Sequence, residues 1–275
     1  MSGCDRDPSP TPIPDDPPDS DQVVTWGIKA VKSLDSGFTG DGVIVCVVDT
    51  GVDKDHPDLD GNIIGGGGYG YPDYDDDNGH GTHVSGTIAA VDNLIGVLGV
   101  APNAKIYASK VLGEDGSGWS SDISDGIYGC IDGNADVINL SLGSTQPSTD
   151  IHDAIKSAVS KGIIVIAASG NSASSTGYPA RHPEVIAISA VDSALDLASF
   201  SNTGKIEFAA PGVDVLSTVP GGYSRFAGTS MASPHAAGVA ALMIEAKKTQ
   251  LKARDINLSP QQQGKGLIDA SLSTK

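Results

Sequence analysis

The chain has 275 residues, with 17 basic and 34 acidic side chains and a net charge of −17 at pH 7. A surface this acidic repels phosphate backbones, which argues against a nucleic-acid-binding protein. No apolar run reaches the ~18 residues of a membrane span, so we expect a soluble domain. With 39% hydrophobic but only 5% aromatic residues, its core must consist mainly of Ala, Val, Ile and Leu.

The first 21 residues differ in composition from the rest of the chain. They contain six prolines and six aspartates, and Ile13 is their single large aliphatic residue. Such a stretch cannot bury enough apolar surface to offset the entropy of ordering, so residues 1–21 are predicted to be a disordered tether. The segment ending at Cys4 resembles the end of a bacterial lipoprotein signal, with Cys4 as the lipidated residue. A solvated tail with an incidental thiol is the alternative.

From Gln22 onward, predicted strands alternate with predicted helices. The strand candidates are continuous apolar runs, which are typical of parallel strands buried on both faces. Strands are predicted at 43–48, 137–142, 162–168 and 185–191, and helices at 82–90, 120–134, 150–161 and 230–249. This alternation predicts a single α/β domain over residues 22–275, with three αβα layers and a mostly parallel central sheet. In such folds, functional groups collect at the carboxyl ends of the strands.

The three cysteines are Cys4, Cys46 and Cys130. An odd count at wide spacing indicates neither a disulfide framework nor a zinc site. Cys46 lies inside an apolar run, where cysteine commonly packs as a small buried hydrophobe. A bridge between Cys46 and Cys130 is the other interpretation, and only the distance between them can decide.

Three segments contain the components of an activated serine nucleophile. Asp49 follows the first predicted strand, His80 stands at the opening of a helix, and Ser230 opens the longest helix. A serine hydroxyl becomes reactive when an imidazole removes its proton, and the imidazole needs a carboxylate to fix its tautomer. Singly, such residues are usually turn, structural or capping residues. The hypothesis therefore depends on all three occurring together.

The extended motifs around these residues resemble the active-site signatures of the subtilisin family of serine proteases. They are Asp49-Thr-Gly51, His80-Gly-Thr-His-Val-Ser-Gly-Thr87 and Gly228-Thr-Ser-Met-Ala-Ser-Pro-His235. Their order, Asp then His then Ser, is that of subtilisin and is matched rather than derived. The resemblance runs from about Gln22 to Ala270 and is nearest to the bacterial secreted, high-alkaline type. It implies a subtilisin-like fold and a secreted or extracytoplasmic serine endopeptidase.

The resemblance also implies a role for each matched residue. Ser230 would be the nucleophile, His80 the general base and then acid, and Asp49 the group that orients His80. Asn171, just after an apolar strand, would donate to the oxyanion. His83, three residues after His80, has no accompanying third ligand motif and is interpreted as structural.

Substrate would be held by addition of an extended strand to two backbone edges. The implied binding residues are Gly116, Gly118, Ser141, Leu142, Gly143 and Gly177. Residues 172–177 contain no Asp or Glu, so the specificity pocket is predicted to accept an apolar or aromatic side chain. Tyr178-Pro179 matches a cis X–Pro position of the family.

The family's strong calcium site is matched by oxygen-bearing residues, as that ion requires. The implied ligands are Gln22, Asp58, Val91, Asn93, Ile95 and Val97, the valines and the isoleucine through their carbonyls. A second acidic cluster precedes the His80 motif and is either another calcium site or a solvated loop. Its members are Asp73, Asp75, Asp76 and Asp77.

Two other functions were weighed against the endopeptidase. An α/β-hydrolase esterase needs Gly-x-Ser-x-Gly, whereas Ala232 stands where the second glycine belongs, and the chain order of the three residues also differs. A catalytically silent binding protein on the same fold is the alternative from another class, although no triad residue is lost. The resemblance implies polypeptide substrates, a monomer, no nucleic-acid partner, and a pro-domain during folding that these 275 residues do not include.

Overall fold

The computed structural model describes residues 21–275. Apart from Asp21, the predicted tether and its candidate lipid site Cys4 lie outside the described residues. Across the described part of the chain, no helix has both the length and the apolar character needed to cross a membrane.

The described residues form an alternating series of strands and helices. The α-helices are α1 (Trp26–Ala30), α2 (His80–Ala89), α3 (Ser120–Asp132), α4 (Thr149–Ser160), α5 (Thr229–Glu245), α6 (Pro260–Gln263) and α7 (Ala270–Ser273). The strands are β1 (Ile44–Asp49), β2 (Ile63–Gly68), β3 (Lys105–Lys110), β4 (Val137–Leu140), β5 (Ile164–Ala168), β6 (Ile186–Val191), β7 (Phe208–Pro211), β8 (Val215–Val219), β9 (Gly222–Phe226), β10 (Ala253–Arg254) and β11 (Leu267–Ile268). Two short 3₁₀ helices cover Ser33–Asp35 and Pro57–Leu59.

Nine strands form the central sheet in the order β10-β11-β7-β6-β5-β4-β1-β3-β2, while β8 and β9 form a separate antiparallel hairpin. All neighbours in the sheet are parallel except β10 and β11. The strand order reverses at β1, which lies between β3 and β4. Such a reversal opens a crevice beyond the carboxyl ends of the strands. Asp49, the last residue of β1, therefore lies at this crevice.

Helices cover both faces of the sheet, and the side chains of β1 alternate between them. Val45 and Val47 belong to the core on the side of α2 and α5. Cys46 and Val48 belong to the core on the side of α3 and α4. Because both faces of β1 are buried, its sequence is continuously apolar rather than alternating. The predicted three-layer α/β fold with a mostly parallel sheet is thus confirmed.

Cys46 and Cys130 form a disulfide, with their Cα atoms 5.6 Å apart. Both residues are fully buried. The bond joins β1 to α3, so it links the central sheet to one helical layer. Of the two interpretations that the sequence left open, the structure contains the bridge.

Helix α5 is buried along almost its whole length and passes through the largest core. It ends at Glu245, four residues before the predicted end at residue 249. Lys247 adopts a left-handed conformation (φ 56°), and the Lys248 N–H donates to the carbonyl of Met243. This arrangement closes the last turn and stops the helix.

Candidate active site

The crevice at the end of β1 holds a carboxylate–imidazole pair. Asp49 is fully buried, and its Oδ1 lies 2.7 Å from Nδ1 of His80, the first residue of α2. The backbone N–H of Thr50 donates to the same oxygen at 2.7 Å. When Nδ1 of His80 carries the proton of this hydrogen bond, Nε2 is left as the basic nitrogen. The pair therefore has the arrangement of a general base with its orienting carboxylate.

Ser230 is the second residue of α5 and is held by the end of β4. Its Oγ donates to the carbonyl of Ser141 at 3.2 Å. Pro234 has no N–H to donate to the carbonyl of Ser230, four residues earlier in the helix. The hydroxyl of Ser141 donates to that carbonyl instead, at 2.8 Å, and is also 2.8 Å from the hydroxyl of Ser233. The side chain of Ser141 is therefore buried support for the first turn of α5.

Asn171 lies three residues beyond β5, on the loop that reaches α5. Its Oδ1 accepts hydrogen bonds from the backbone N–H (2.8 Å) and the hydroxyl (2.9 Å) of Thr229, the residue before Ser230. These two bonds fix the orientation of the side-chain amide next to the start of α5.

Two segments with residues predicted to bind substrate, 141–143 and 172–177, are joined through backbone hydrogen bonds of their neighbours. Ser144, next to Gly143, pairs with Tyr178 through two backbone hydrogen bonds of 2.7 and 2.8 Å. Gly177 donates its N–H to the carbonyl of Ser169 at 2.9 Å, at the end of β5. The Tyr178–Pro179 bond is cis, as the resemblance implies. Leu142, between the two serines of this edge, is almost fully buried.

The other predicted edge follows β3. Gly116 has a φ of +71° and closes a turn by donating its N–H to the carbonyl of Gly113 at 2.8 Å. A Cβ on Gly118 would lie only 2.2 Å from the carbonyl oxygen of Val111, so a glycine is required there. Both glycines therefore have a local structural reason as well as the predicted binding role.

The predicted calcium ligands lie together around a loop between α2 and β3. Asp58 is fully buried; its Oδ2 accepts the Val97 N–H at 2.8 Å, and its Oδ1 has no close hydrogen-bond partner among the described residues. Burial raises the pKa of Asp58 above its ordinary value, against the lowering effect of the Val97 hydrogen bond. The amide of Gln22 lies 2.5 Å from the carbonyl of Val91 and 3.1 Å from that of Val97. Asn93 belongs to the same loop, and its Oδ1 accepts the Ile95 N–H at 3.1 Å.

The four aspartates of the second acidic cluster do not converge on one point. Lys54 Nζ lies 3.9 Å from Asp73 and 3.6 Å from Asp75, and Lys110 Nζ lies 2.6 Å from Asp77. The fourth member, Asp76, instead accepts hydrogen bonds at the start of α2. Over residues 21–275, no three His, Cys, Asp or Glu side chains are grouped so as to hold a metal ion. The four carboxylates of this cluster therefore contact different basic and N–H groups of the protein.

His83 is predicted to be structural because no third metal-ligand motif accompanies it, and the structure buries it completely. Its Nε2 lies 2.9 Å from the carbonyl of Val215, and its ring stacks on Phe226 with the centroids 4.3 Å apart. Burial lowers its pKa to about 3, so the ring is neutral at pH 7.

Two residues of this region have local contacts that the sequence-based prediction does not contain. Thr50 has no predicted role, and Asp76 is predicted only as a member of the second acidic cluster. Thr50 is fully buried, and its hydroxyl lies between Asp76 and the backbone N–H of Gly81. The one available signal is an acidic residue shortly before the first turn of a helix, where a carboxylate can accept the unpaired N–H groups.

Comparison with known proteins agrees with this geometry. The model of the subtilase family of peptidases matches residues 40–269. Subtilisin BL of Lederbergia lenta is 47% identical over 271 residues, covering 92% of this chain and all of the relative. A subtilisin of Bacillus pumilus is 48% identical over 246 residues (85% of this chain, 89% of the relative), and M-protease of Shouchella clausii is 52% identical over 230 residues (81% and 60%). The resemblance found in the sequence is confirmed, and the chain belongs to the subtilase family.

Proposed function

We propose that this chain, a serine endopeptidase as its family implies, cleaves extended polypeptides through an acyl-enzyme formed on Ser230. The 2.7 Å hydrogen bond between Asp49 and His80 is the observation that carries the proposal, and Ser230 lies in the first turn of α5.

The two half-reactions follow from the roles of the three side chains. The Oγ of Ser230 attacks the carbonyl carbon of the scissile bond while its proton passes to Nε2 of His80. The C–N bond then breaks, and His80 returns the proton to the leaving amine. Water then attacks the acyl carbon while one of its protons passes to Nε2 of His80. The bond between that carbon and Oγ of Ser230 breaks, His80 returns the proton to Oγ, and the carboxylic acid leaves. Asp49 stays ionised throughout and stabilises the imidazolium that forms in each half.

Negative charge that develops on the substrate carbonyl oxygen needs donors that are already in place. Asn171 would supply one through Nδ2, and the backbone N–H of Ser230 would supply the other. The hydrogen bonds from Thr229 to Oδ1 of Asn171 support this role, because they orient the side-chain amide with its oxygen toward the start of α5.

The peptide would bind as an added strand between residues 116–118 and 141–143. The loop at 172–177 bears no carboxylate, which supports a preference for an apolar or aromatic side chain before the cleaved bond. A buried disulfide supports action outside the cytoplasm, because disulfides persist in oxidising compartments.

A calcium ion would fit the loop around Asp58. The buried carboxylate with an unsatisfied oxygen is a site where a cation relieves an electrostatic cost. Carbonyl, amide and carboxylate oxygens are the ligands that calcium prefers. When bound, the ion would supply stability to the loop and take no part in peptide hydrolysis. The residues that would hold it are Gln22, Asp58, Val91, Asn93, Ile95 and Val97.

The test is casein hydrolysis and labelling by a fluorophosphonate, in the wild type and in Ser230→Ala. We expect the wild type to hydrolyse casein and to carry the adduct on Ser230, and the variant to do neither while remaining folded. Ser160→Ala, at the exposed end of α4, is the matched control and should behave as the wild type.

Two results would overturn this assignment. Hydrolysis that survives Ser230→Ala would remove Ser230 from the mechanism. A folded wild type that neither reacts with the reagent nor cleaves casein would indicate the catalytically silent, subtilase-fold binding protein.

A further inference from the structure

Asp76 is a second carboxylate at the catalytic helix, distinct from the one that contacts His80. It is partly buried against the first turn of α2. Its two oxygens accept five hydrogen bonds. The donors are the Thr50 hydroxyl (2.8 Å), the Gly79 N–H (2.9 Å), the Asn78 N–H (3.1 Å), the Thr82 N–H (2.9 Å) and the Thr82 hydroxyl (2.5 Å).

These bonds fix the start of the helix on which His80 lies. The first N–H groups of a helix lack partners within it, and an anion there also interacts favourably with the helix dipole. Burial by itself would raise the pKa of Asp76. The hydrogen bonds from Thr82, Gly79 and Asn78 outweigh burial and hold the pKa below its ordinary value. Asp76 is therefore charged at neutral pH.

Thr50 connects this carboxylate to the catalytic pair. Its hydroxyl donates to Asp76 and accepts the N–H of Gly81 at 2.8 Å, and Gly81 is the residue after His80. Its own N–H donates to Oδ1 of Asp49 at 2.7 Å, the same oxygen that contacts His80. The fully buried Thr50 therefore contacts the carboxylate of Asp49 on one side and the backbone next to His80 on the other.

We propose that Asp76 is a positioning residue for catalysis: it fixes the first turn of α2 and, through Thr50, the position of His80 relative to Asp49. This inference rests on the proposed function, since it takes His80 as the general base. The acceptors of Asp76 are all occupied by protein donors, so its role needs no contact with substrate and no metal ion.

Asp76→Asn tests the proposal with almost no change in shape. An asparagine keeps one acceptor oxygen but places an NH₂ group where the other oxygen was, so at least one donor of the site then faces a donor. A displacement of about 1 Å in a catalytic group costs up to ~10²-fold in rate. We expect kcat to fall roughly 10- to 100-fold with KM within about twofold, because substrate contacts are unchanged.

The readouts are kcat and KM on a peptide substrate, the melting temperature, and the low-field proton resonance of the His80–Asp49 hydrogen bond. Asp269→Asn is the matched control. Asp269 is also a buried carboxylate, and it caps α7 by accepting the Leu272 N–H at 3.2 Å. We expect the control to lower the melting temperature and keep the wild-type kcat and resonance. In Asp76→Asn, the resonance should be lost or shifted.

Thr50→Val and Thr50→Ser give an independent test and decide the matter if Asp76→Asn does not fold. The valine removes the shared hydroxyl and should lower kcat with little change in KM, whereas the serine should retain kcat. Wild-type kcat and resonance in folded Asp76→Asn, or wild-type kcat in Thr50→Val, would overturn the inference. Failure of the proposed function is a different result, because then the wild type itself would not be labelled at Ser230.

Discussion

At the residue scale, the side-chain oxygen of Asn171 is held by the neighbouring residue Thr229. Both hydrogen bonds from Thr229 are made to Oδ1. Because a side-chain amide has one acceptor end and one donor end, fixing the oxygen also fixes the direction of the N–H groups. A donor held in this way does not need to reorganise when charge appears on the substrate, which is the condition for strong electrostatic stabilisation.

We therefore expect Asn171→Leu to lower kcat with little change in KM. The expected loss is about 10²–10³-fold, which is the established size of this effect in subtilisin. Steady-state kinetics on a peptide substrate measure it. Asn103→Leu, in an exposed loop, is the control and should keep wild-type turnover. Unchanged turnover in Asn171→Leu would exclude Asn171 from the oxyanion site.

The sequence predicted residues whose motifs are continuous along the chain, such as those around His80 and Ser230. It did not predict the side-chain role of Ser141, because that role depends on a residue 89 positions away. The hydroxyl compensates for the missing N–H of Pro234, a need that appears only when β4 and α5 meet. The sequence also leaves the partners of Asp76 open, between a calcium ion and solvent, because acidic residues adjacent in sequence can point to different partners.

At the element scale, the strands buried on both faces were predictable, because nothing but a continuous apolar run satisfies both helical layers. The edge strand β2 was not, since four of its six residues are glycines and provide no side-chain pattern. The β8–β9 hairpin was also missed. Its signal is Pro220-Gly221 between two short segments, with Gly221 at φ +75° as a tight turn requires.

The loop proposed to bind calcium owes its shape to unusual backbone conformations. Leu94 and Gly96 have positive φ angles of 75° and 57°, which turn the chain back toward Asp58. A Cβ on Gly96 would lie 2.4 Å from Oδ2 of Asp58 and 2.0 Å from the hydroxyl of Tyr223. A glycine is therefore needed for the loop to close on the carboxylate.

If this loop binds calcium, a chelator should lower the melting temperature of the wild type by several degrees. A ligand present at ~100 times its Kd stabilises the folded state by about 2.7 kcal/mol. Asp58→Asn should melt lower than the wild type in calcium and should not respond to the chelator. Asp60→Asn, an exposed neighbour, should respond as the wild type does. A wild type that melts at the same temperature with and without chelator would contradict the proposal.

At the scale of the whole molecule, the disulfide connects two parts of the fold that are far apart in the sequence. Cys46 lies on β1, where the strand order reverses and Asp49 is presented, and Cys130 lies 84 residues further on, in α3. The bond therefore ties the strand that carries Asp49 to the helical layer behind it. A cross-link across a segment of this length removes many conformations from the unfolded chain.

Removing the bond should therefore destabilise the protein without changing the chemistry. A loop of this length predicts a loss of about 4.5 kcal/mol in the free energy of unfolding. That loss corresponds to a melting temperature lower by roughly 9–18 °C for a domain of this size. Cys46→Ala, Cys130→Ala and the double variant should melt at similar temperatures, because each of them lacks the cross-link. If the drop instead doubles from single to double variant, lost packing at two buried sites is the cause. If all three melt as the wild type does, the cross-link contributes nothing, and the core formed by α3 and α4 alone holds β1 in place.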